Sequence, residues 1–160
     1  MLLDAIILAG GDPERDAELL QYAEGAPRKA LIELGHRTFL ERIAKALLDS
    51  GRVRRIAVVG MAHELEIDLG RKVCFVPDRG SLFANGRAGF ERLNDARPIS
   101  EQLVISTADI PLITPEIIQE FIDTCSLYEV DFCYPIVAQK DMEQTFPGSG
   151  RTFVPIGRQR

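Results

Sequence analysis

The stretch Leu2-Leu3-Asp4-Ala5-Ile6-Ile7-Leu8-Ala9-Gly10-Gly11 decides the fold. Its apolar residues include β-branched members and end at a diglycine, which is typical of a strand buried on both faces of a parallel sheet. Later segments of the same character predict further strands at Arg55–Gly60, Val73–Pro77, Gln102–Thr107 and Asp131–Val137, with a short one at Thr152–Ile156.

Helical patterns separate these predicted strands. Thr38 and Glu41 form a T-x-x-E capping box before an apolar repeat of helical spacing. Leu82–Leu93 and the segment that begins at Thr114 also predict helices. Strands that alternate with helices indicate an α/β fold, with a mostly parallel central sheet, helices on both faces and right-handed crossovers. We expect one domain over residues 1–160, with a weakly structured tail at 139–160.

Composition narrows the partners of the chain. Its 160 residues carry a formal charge of −5, which argues against nucleic acid, because a nucleic-acid partner requires a basic face. The early apolar run is too short to cross a bilayer and no basic segment precedes it, so we expect no membrane association. Three widely spaced cysteines predict reduced thiols and a cytoplasmic protein. An exposed edge strand would allow a homo-oligomer to form by pairing with another copy.

Three polar motifs follow predicted strands or return the chain to the same edge of the sheet, where ligands bind in doubly wound folds. Leu8-Ala9-Gly10-Gly11 allows close approach of a ligand, and its N–H groups can form an anion-binding nest. Pro27-Arg28-Lys29-Ala30-Leu31 supplies a lysine that can neutralise phosphate charge. Ala108-Asp109-Ile110-Pro111-Leu112 supplies a carboxylate, and Mg²⁺ needs only one or two carboxylates beside phosphate oxygens. Taken singly, each motif is also compatible with an ordinary turn or a solvated side chain.

In this order the three motifs resemble those of the nucleotidyltransferases related to molybdenum-cofactor guanylyltransferase, which have a Rossmann-like, glycosyltransferase-A-like fold. The resemblance extends to about Val137. It implies that the phosphate of a phosphorylated sugar or cofactor attacks the α-phosphorus of a nucleoside triphosphate and releases pyrophosphate, with Mg²⁺ as cofactor. By this resemblance Lys29 and Asp109 are catalytic and Asp109 holds the metal. The implied nucleotide-binding residues are Leu8, Ala9, Gly10, Gly11, Arg15, Lys29, Asn85 and Asp109.

Some residues depart from the family pattern and leave alternatives open. The loop 12–16 offers only Arg15 in place of the arginine that usually follows the glycines. Asn85 matches a polar residue that lines the family's nucleotide pocket, but a helix-surface amide is an equal alternative. The family carries acceptor-binding strands, and usually a second metal-binding carboxylate, beyond the point where this chain ends. A truncated, non-catalytic nucleotide-binding or regulatory module is therefore a second hypothesis. A glycosyltransferase is a third, although its usual D-x-D is absent around Asp109.

Overall fold

A computed structural model describes residues 2–11, 14, 16–21, 23, 25–61 and 69–157, with the side chain of Glu18 left out. The chain divides into two units, residues 1–124 and residues 125–160. No helix among the described residues is long and apolar enough to cross a membrane. The prediction of one domain over 1–160 stays a prediction.

A sheet of four parallel strands forms the centre of the first unit, in the order β3-β2-β1-β4. Its strands are β1 (Leu3–Leu8), β2 (Val53–Val59), β3 (Val73–Val76) and β4 (Leu103–Thr107). The register places Leu8 opposite Val59 on one side and Thr107 on the other. The strand predictions for residues 1–124 are thus confirmed, and three strands end level at their carboxyl ends. Pairing of an edge strand with another copy stays a prediction.

Helices cover both faces of this sheet, as predicted. The helices of the unit are α1 (Ala17–Gln21), a 3₁₀ turn (Lys29–Leu31), α2 (Phe39–Asp49), α3 (Leu82–Ala96) and α4 (Pro115–Cys125). Buried residues of α2 and α4 share one core with β1, whereas Leu93 of α3 packs with Ile6 on the opposite face. The capping box of α2 is confirmed, since Glu41 N–H donates to Thr38 Oγ1 at 3.2 Å and Thr38 N–H donates to Glu41 Oε2 at 2.6 Å.

A buried ionic cluster fixes the amino end of β1. The Asp4 side chain is fully buried and accepts hydrogen bonds from Arg54 Nε at 2.9 Å and Arg55 Nε at 2.7 Å. Ser100 N–H donates to the same carboxylate at 2.9 Å. Burial raises the pKa of Asp4, but these hydrogen bonds and the guanidinium charges outweigh it and hold that pKa well below its ordinary value. The cluster therefore ties β1, β2 and the segment before β4 together.

The second unit contains α5 (Gln139–Thr145), which lies in the segment predicted as a weakly structured tail. The strand predictions at Asp131–Val137 and Thr152–Ile156 are wrong, because neither segment pairs in a ladder with any described residue. Phe132 and Tyr134 instead stack on each other with ring centroids 6.3 Å apart, and both side chains are largely exposed. An apolar run forms a strand only where a neighbouring strand pairs with its backbone hydrogen-bonding groups.

Candidate functional site

The diglycine turn after β1 is held by backbone contacts with the neighbouring strands. Ala9 N–H donates to Val59 O at 2.7 Å, and Ala108 N–H donates to Leu8 O at 3.1 Å. Gly60 follows β2 with φ of +102°, and a Cβ built on it would lie 2.1 Å from Gly10 N. Only glycine fits such a close approach of two backbones. The turn is therefore a fixed backbone surface at the carboxyl edge of the sheet.

The ammonium group of Lys29 lies between two carboxylates at this edge. Its Nζ is 3.2 Å from Asp109 Oδ2 and 3.4 Å from Asp16 Oδ1. Thr107 Oγ1 donates a hydrogen bond of 2.5 Å to Asp109 Oδ1, so the last residue of β4 orients this carboxylate. The 3₁₀ turn that begins at Lys29 brings the lysine back to the strand ends after the long polar loop.

Charge pairing sets the protonation states of this group. Burial lowers the pKa of Lys29, but the carboxylates of Asp109 and Asp16 outweigh burial and hold that pKa above its ordinary value. Burial likewise raises the pKa of Asp109, while the Thr107 hydroxyl and the Lys29 ammonium outweigh it and hold that pKa below its ordinary value. Lys29 therefore stays protonated and Asp109 stays ionised near neutral pH.

A second polar group lies beside Gly10, at the end of β3. Asp78 follows that strand, and its carboxylate accepts hydrogen bonds from Gly80 N–H at 2.8 Å and from Asn85 Nδ2 at 3.0 Å. These two donors lower the pKa of Asp78. Asn85 also accepts from Arg79 N–H at 2.7 Å. The Arg28 guanidinium donates to Gly60 O at 3.2 Å. Asp78 and Asn85 therefore hold the turn after β3, and Arg28 is bound to the end of β2.

One cleft of about 180 Å³ collects most of the predicted site residues. It is lined by Leu8, Ala9, Gly10, Gly11, Asp16, Leu20, Arg28, Lys29, Ala30, Leu82, Thr107, Ala108 and Asp109. Arg15 lies outside the described residues. The structure thus brings the diglycine, Lys29 and Asp109 together, whereas their roles toward a nucleotide stay predictions.

The position of Asn85 decides between the two alternatives only in part, since it excludes the helix-surface amide and does not test the nucleotide contact. It is buried, with 7% of its surface exposed, so the helix-surface amide is wrong. Its side chain holds the turn after β3 and does not line the cleft. A contact of Asn85 with a nucleotide stays a prediction.

Sequence reasoning missed three polar residues of this edge, Asp16, Asp78 and Thr107. A signal existed for Asp78, because it directly follows the predicted strand Val73–Pro77 at the same edge as Asp109. Thr107 is the last residue of a predicted strand, two positions before Asp109. Nothing in the sequence brings Asp16 to Lys29, since it lies within a polar loop without periodicity.

The donor set at this edge fits Mg²⁺ bound jointly with phosphate oxygens. Among the described residues, no three His, Cys, Asp or Glu side chains come together as a metal cage. Mg²⁺ in nucleotide sites is commonly bound by one or two carboxylates, waters and the phosphates themselves. Asp109 supplies one partly exposed carboxylate, and the cation that it already contacts is an ammonium group.

A known family of domains matches the chain over most of its length. The sequence pattern of the MobA-like NTP transferase domain matches residues 5–153, which is most of the chain. No curated protein sequence matches the chain significantly.

Solved structures share the fold. A hypothetical transferase from Thermus thermophilus superposes with a TM-score of 0.68 at 28% identity, over 95% of this chain and 58% of that chain. A nucleotidyl transferase from Methanothermobacter gives a TM-score of 0.58 at 22% identity, over 76% of this chain and 57% of that one. The 4-diphosphocytidyl-2C-methyl-D-erythritol synthase of Anaerococcus prevotii gives 0.56 at 18% identity, over 87% and 60%. The chain thus spans less than two thirds of the length of each of these proteins.

Proposed function

The chain belongs to the family of MobA-like NTP transferase domains, and from that premise we propose that it binds a nucleoside triphosphate at the Lys29–Asp109 cleft and transfers its nucleotidyl group to a phosphorylated sugar or cofactor. One observation carries the proposal: the diglycine turn, the Lys29 ammonium and the Asp109 carboxylate line a single cleft. These are the three chemical elements that a metal-bound triphosphate requires, namely backbone donors, a cation and a metal anchor.

In the proposed reaction, a phosphate oxygen of the acceptor forms a bond with the α-phosphorus of the triphosphate. The bond from that phosphorus to the bridging oxygen breaks, and pyrophosphate leaves with the bonding electrons. Little covalent work falls to the protein in such a transfer, because positioning and charge neutralisation supply most of the catalysis.

The surroundings of each residue support a specific role in this reaction. The diglycine turn receives phosphate oxygens, since no Cβ blocks the approach to its N–H groups. Lys29 stays protonated and neutralises charge on the leaving pyrophosphate. Asp109 stays ionised and would hold Mg²⁺ with the phosphates. When bound, Mg²⁺ supplies Lewis-acid polarisation of the phosphoryl oxygens.

Asp109→Asn is the experiment that tests this function. The substitution keeps the size of the side chain and removes the charge of the metal anchor. The assay measures pyrophosphate released from ATP, GTP, CTP or UTP with Mg²⁺ and a panel of sugar phosphates. We expect a rate loss of roughly 10²–10³-fold, the size seen when an enzyme loses one group that stabilises charge developing in the transition state. Asp123→Asn, on the exposed end of α4, is the matched control and retains wild-type turnover.

Nucleotide binding without turnover is a second candidate function. Its support is that Asp109, the proposed metal anchor, already has a cation beside it, the Lys29 ammonium at 3.2 Å. Calorimetry with each nucleoside triphosphate separates the two candidates. Binding without release of pyrophosphate from the triphosphate, whichever acceptor of the panel is added, favours nucleotide binding alone. Turnover that Asp109→Asn leaves unchanged removes Asp109 from the mechanism.

A further inference from the structure

Asp16 occupies an unusual position for an acidic residue in a site proposed to take phosphates. Its Oδ1 is 3.4 Å from Lys29 Nζ. Its Oδ2 faces the diglycine, because a Cβ built on Gly11 would lie 2.9 Å from that oxygen. One carboxylate therefore spans the distance between the glycine turn and the lysine.

This is the place that an anionic ligand would take. Backbone at a glycine turn and a nearby ammonium group are the usual partners of a phosphate oxygen. The side chain of Asp16 is only 19% exposed, and it lines the cleft together with Gly11 and Lys29. An internal carboxylate thus contacts Lys29 and lies beside Gly11, where a triphosphate would bind.

The size of the cleft agrees with such an occupant. Its volume is about 180 Å³, whereas small-molecule sites typically enclose about 300–1,000 Å³. Asp16 lies directly before the short helix α1, from which Leu20 also reaches the cleft. Movement of Asp16 away from Lys29 would therefore widen the cleft at the glycine turn.

We infer that Asp16 is an internal competitor for the phosphate position and that it determines the affinity of the site for polyphosphate ligands. The inference rests on the proposed function, because it assigns the occupant of the same cleft. A triphosphate must displace the Asp16 carboxylate from Lys29, and from its place beside Gly11, before its own oxygens bind there. The free energy of the Asp16–Lys29 contact is thereby subtracted from the free energy of binding.

Asp109 differs from Asp16 in what holds it. Its carboxylate is oriented by the hydroxyl of Thr107 at the end of β4, so its position is fixed relative to the sheet. Asp16 lies in the loop that follows the diglycine, and among the described residues its side chain pairs with Lys29 and lies beside Gly11. Asp109 therefore keeps its position when a ligand binds, and Asp16 is the carboxylate that moves away from Lys29.

Calorimetry on Asp16→Asn tests the inference. The wild type and the variant are titrated with inorganic tripolyphosphate and with each of the four nucleoside triphosphates, once with Mg²⁺ and once with EDTA. We expect the variant to bind polyphosphate on the order of fivefold more tightly in both buffers, because a partly exposed ion pair no longer opposes binding. Asp16→Glu keeps the charge and retains affinity close to that of the wild type.

Two controls make the result specific to the cleft. Asp49→Asn changes the net charge equally at an exposed position on α2 and leaves affinity unchanged. Thermal unfolding of each variant separates an affinity change from a folding defect. Unchanged affinity in Asp16→Asn would overturn the inference, and so would weaker binding in Mg²⁺ alone, since a metal ligand behaves in that way. If tripolyphosphate shows the fivefold gain while no nucleoside triphosphate binds, Asp16 retains its role and the proposed function fails.

Discussion

The two ends of β1 each carry carboxylates among cations, yet they are built in opposite ways. At the amino end, one fully buried carboxylate, Asp4, faces two guanidinium groups and accepts a backbone hydrogen bond as well. At the carboxyl end, one ammonium group, Lys29, faces two partly exposed carboxylates. Both carboxylate oxygens of Asp4 accept hydrogen bonds within the protein, whereas at the carboxyl end two negative charges share one positive charge.

This difference separates a contact that stabilises the fold from one that can be exchanged for a ligand. A buried ion pair strongly destabilises a protein when one partner is removed, because a charge stays in a poor solvent. A partly exposed pair contributes little, since water and salt replace it. The Asp16–Lys29 pair at the carboxyl end is of this second kind, so the inferred exchange of Asp16 for a phosphate costs little stability.

Asp4→Asn has the largest expected effect and tests the amino end. We expect the free energy of unfolding to fall by about 3–5 kcal/mol, because two guanidinium groups lose their buried partner. Asp109→Asn lowers it by less than about 1 kcal/mol, since its partners are partly exposed. Urea denaturation measures both variants. Equal losses at the two ends would contradict the comparison.

Asp4→Asn should also change how the stability of the protein depends on pH. The folded state lowers the pKa of Asp4, so its contribution is complete above the unfolded pKa of about 3.9 and is lost as the pH falls below that value toward the folded pKa. Wild-type stability therefore declines in acid partly through Asp4. We expect Asp4→Asn to flatten this part of the curve of stability against pH.

Gly60→Ala tests what holds the carboxyl end together if its ion pairs do not. A Cβ there would lie 2.1 Å from Gly10 N at a φ of +102°, and neither backbone can yield easily. We expect a loss of about 2–3 kcal/mol, from steric overlap added to the strain of a positive φ. Gly51→Ala is the matched control: its φ is +68°, but a Cβ there meets nothing within 4 Å. A Gly60 variant no less stable than the Gly51 variant would refute the close approach.

The sheet could be predicted from the sequence because its signals are local. The apolar run at Leu3–Leu8 and the capping box at Thr38 each depend on residues close in the chain, and both are confirmed. The segment Asp131–Val137 shows the limit, because its apolar pattern is strand-like while pairing depends on a distant neighbour. A pattern gives the propensity of a segment and not the existence of its partner.

The candidate site was predictable only where strand ends define it. Gly10 and Asp109 follow strands β1 and β4, and parallel strands bring their carboxyl ends to one edge. Asp16 could not be predicted in this way, because its approach to Lys29 depends on the path of the loop between them. The burial of Asn85 depends likewise on the turn after β3, whose carboxylate and N–H groups it holds.

Lys29→Ala has the smallest expected effect and distinguishes the two ends most directly. We expect triphosphate affinity to fall about tenfold, or about 1.4 kcal/mol, because one charged contact to phosphate is lost. The free energy of unfolding changes little, since the partners of Lys29 are partly exposed.

Arg55→Ala is its counterpart at the amino end and should lower stability while leaving affinity unaltered, because it contacts Asp4 far from the cleft. Calorimetry measures the triphosphate affinity of each variant, and urea denaturation measures its free energy of unfolding. An unchanged dissociation constant for Lys29→Ala, with Asp109→Asn still inactive, would leave the metal anchor in place and remove the lysine from triphosphate binding.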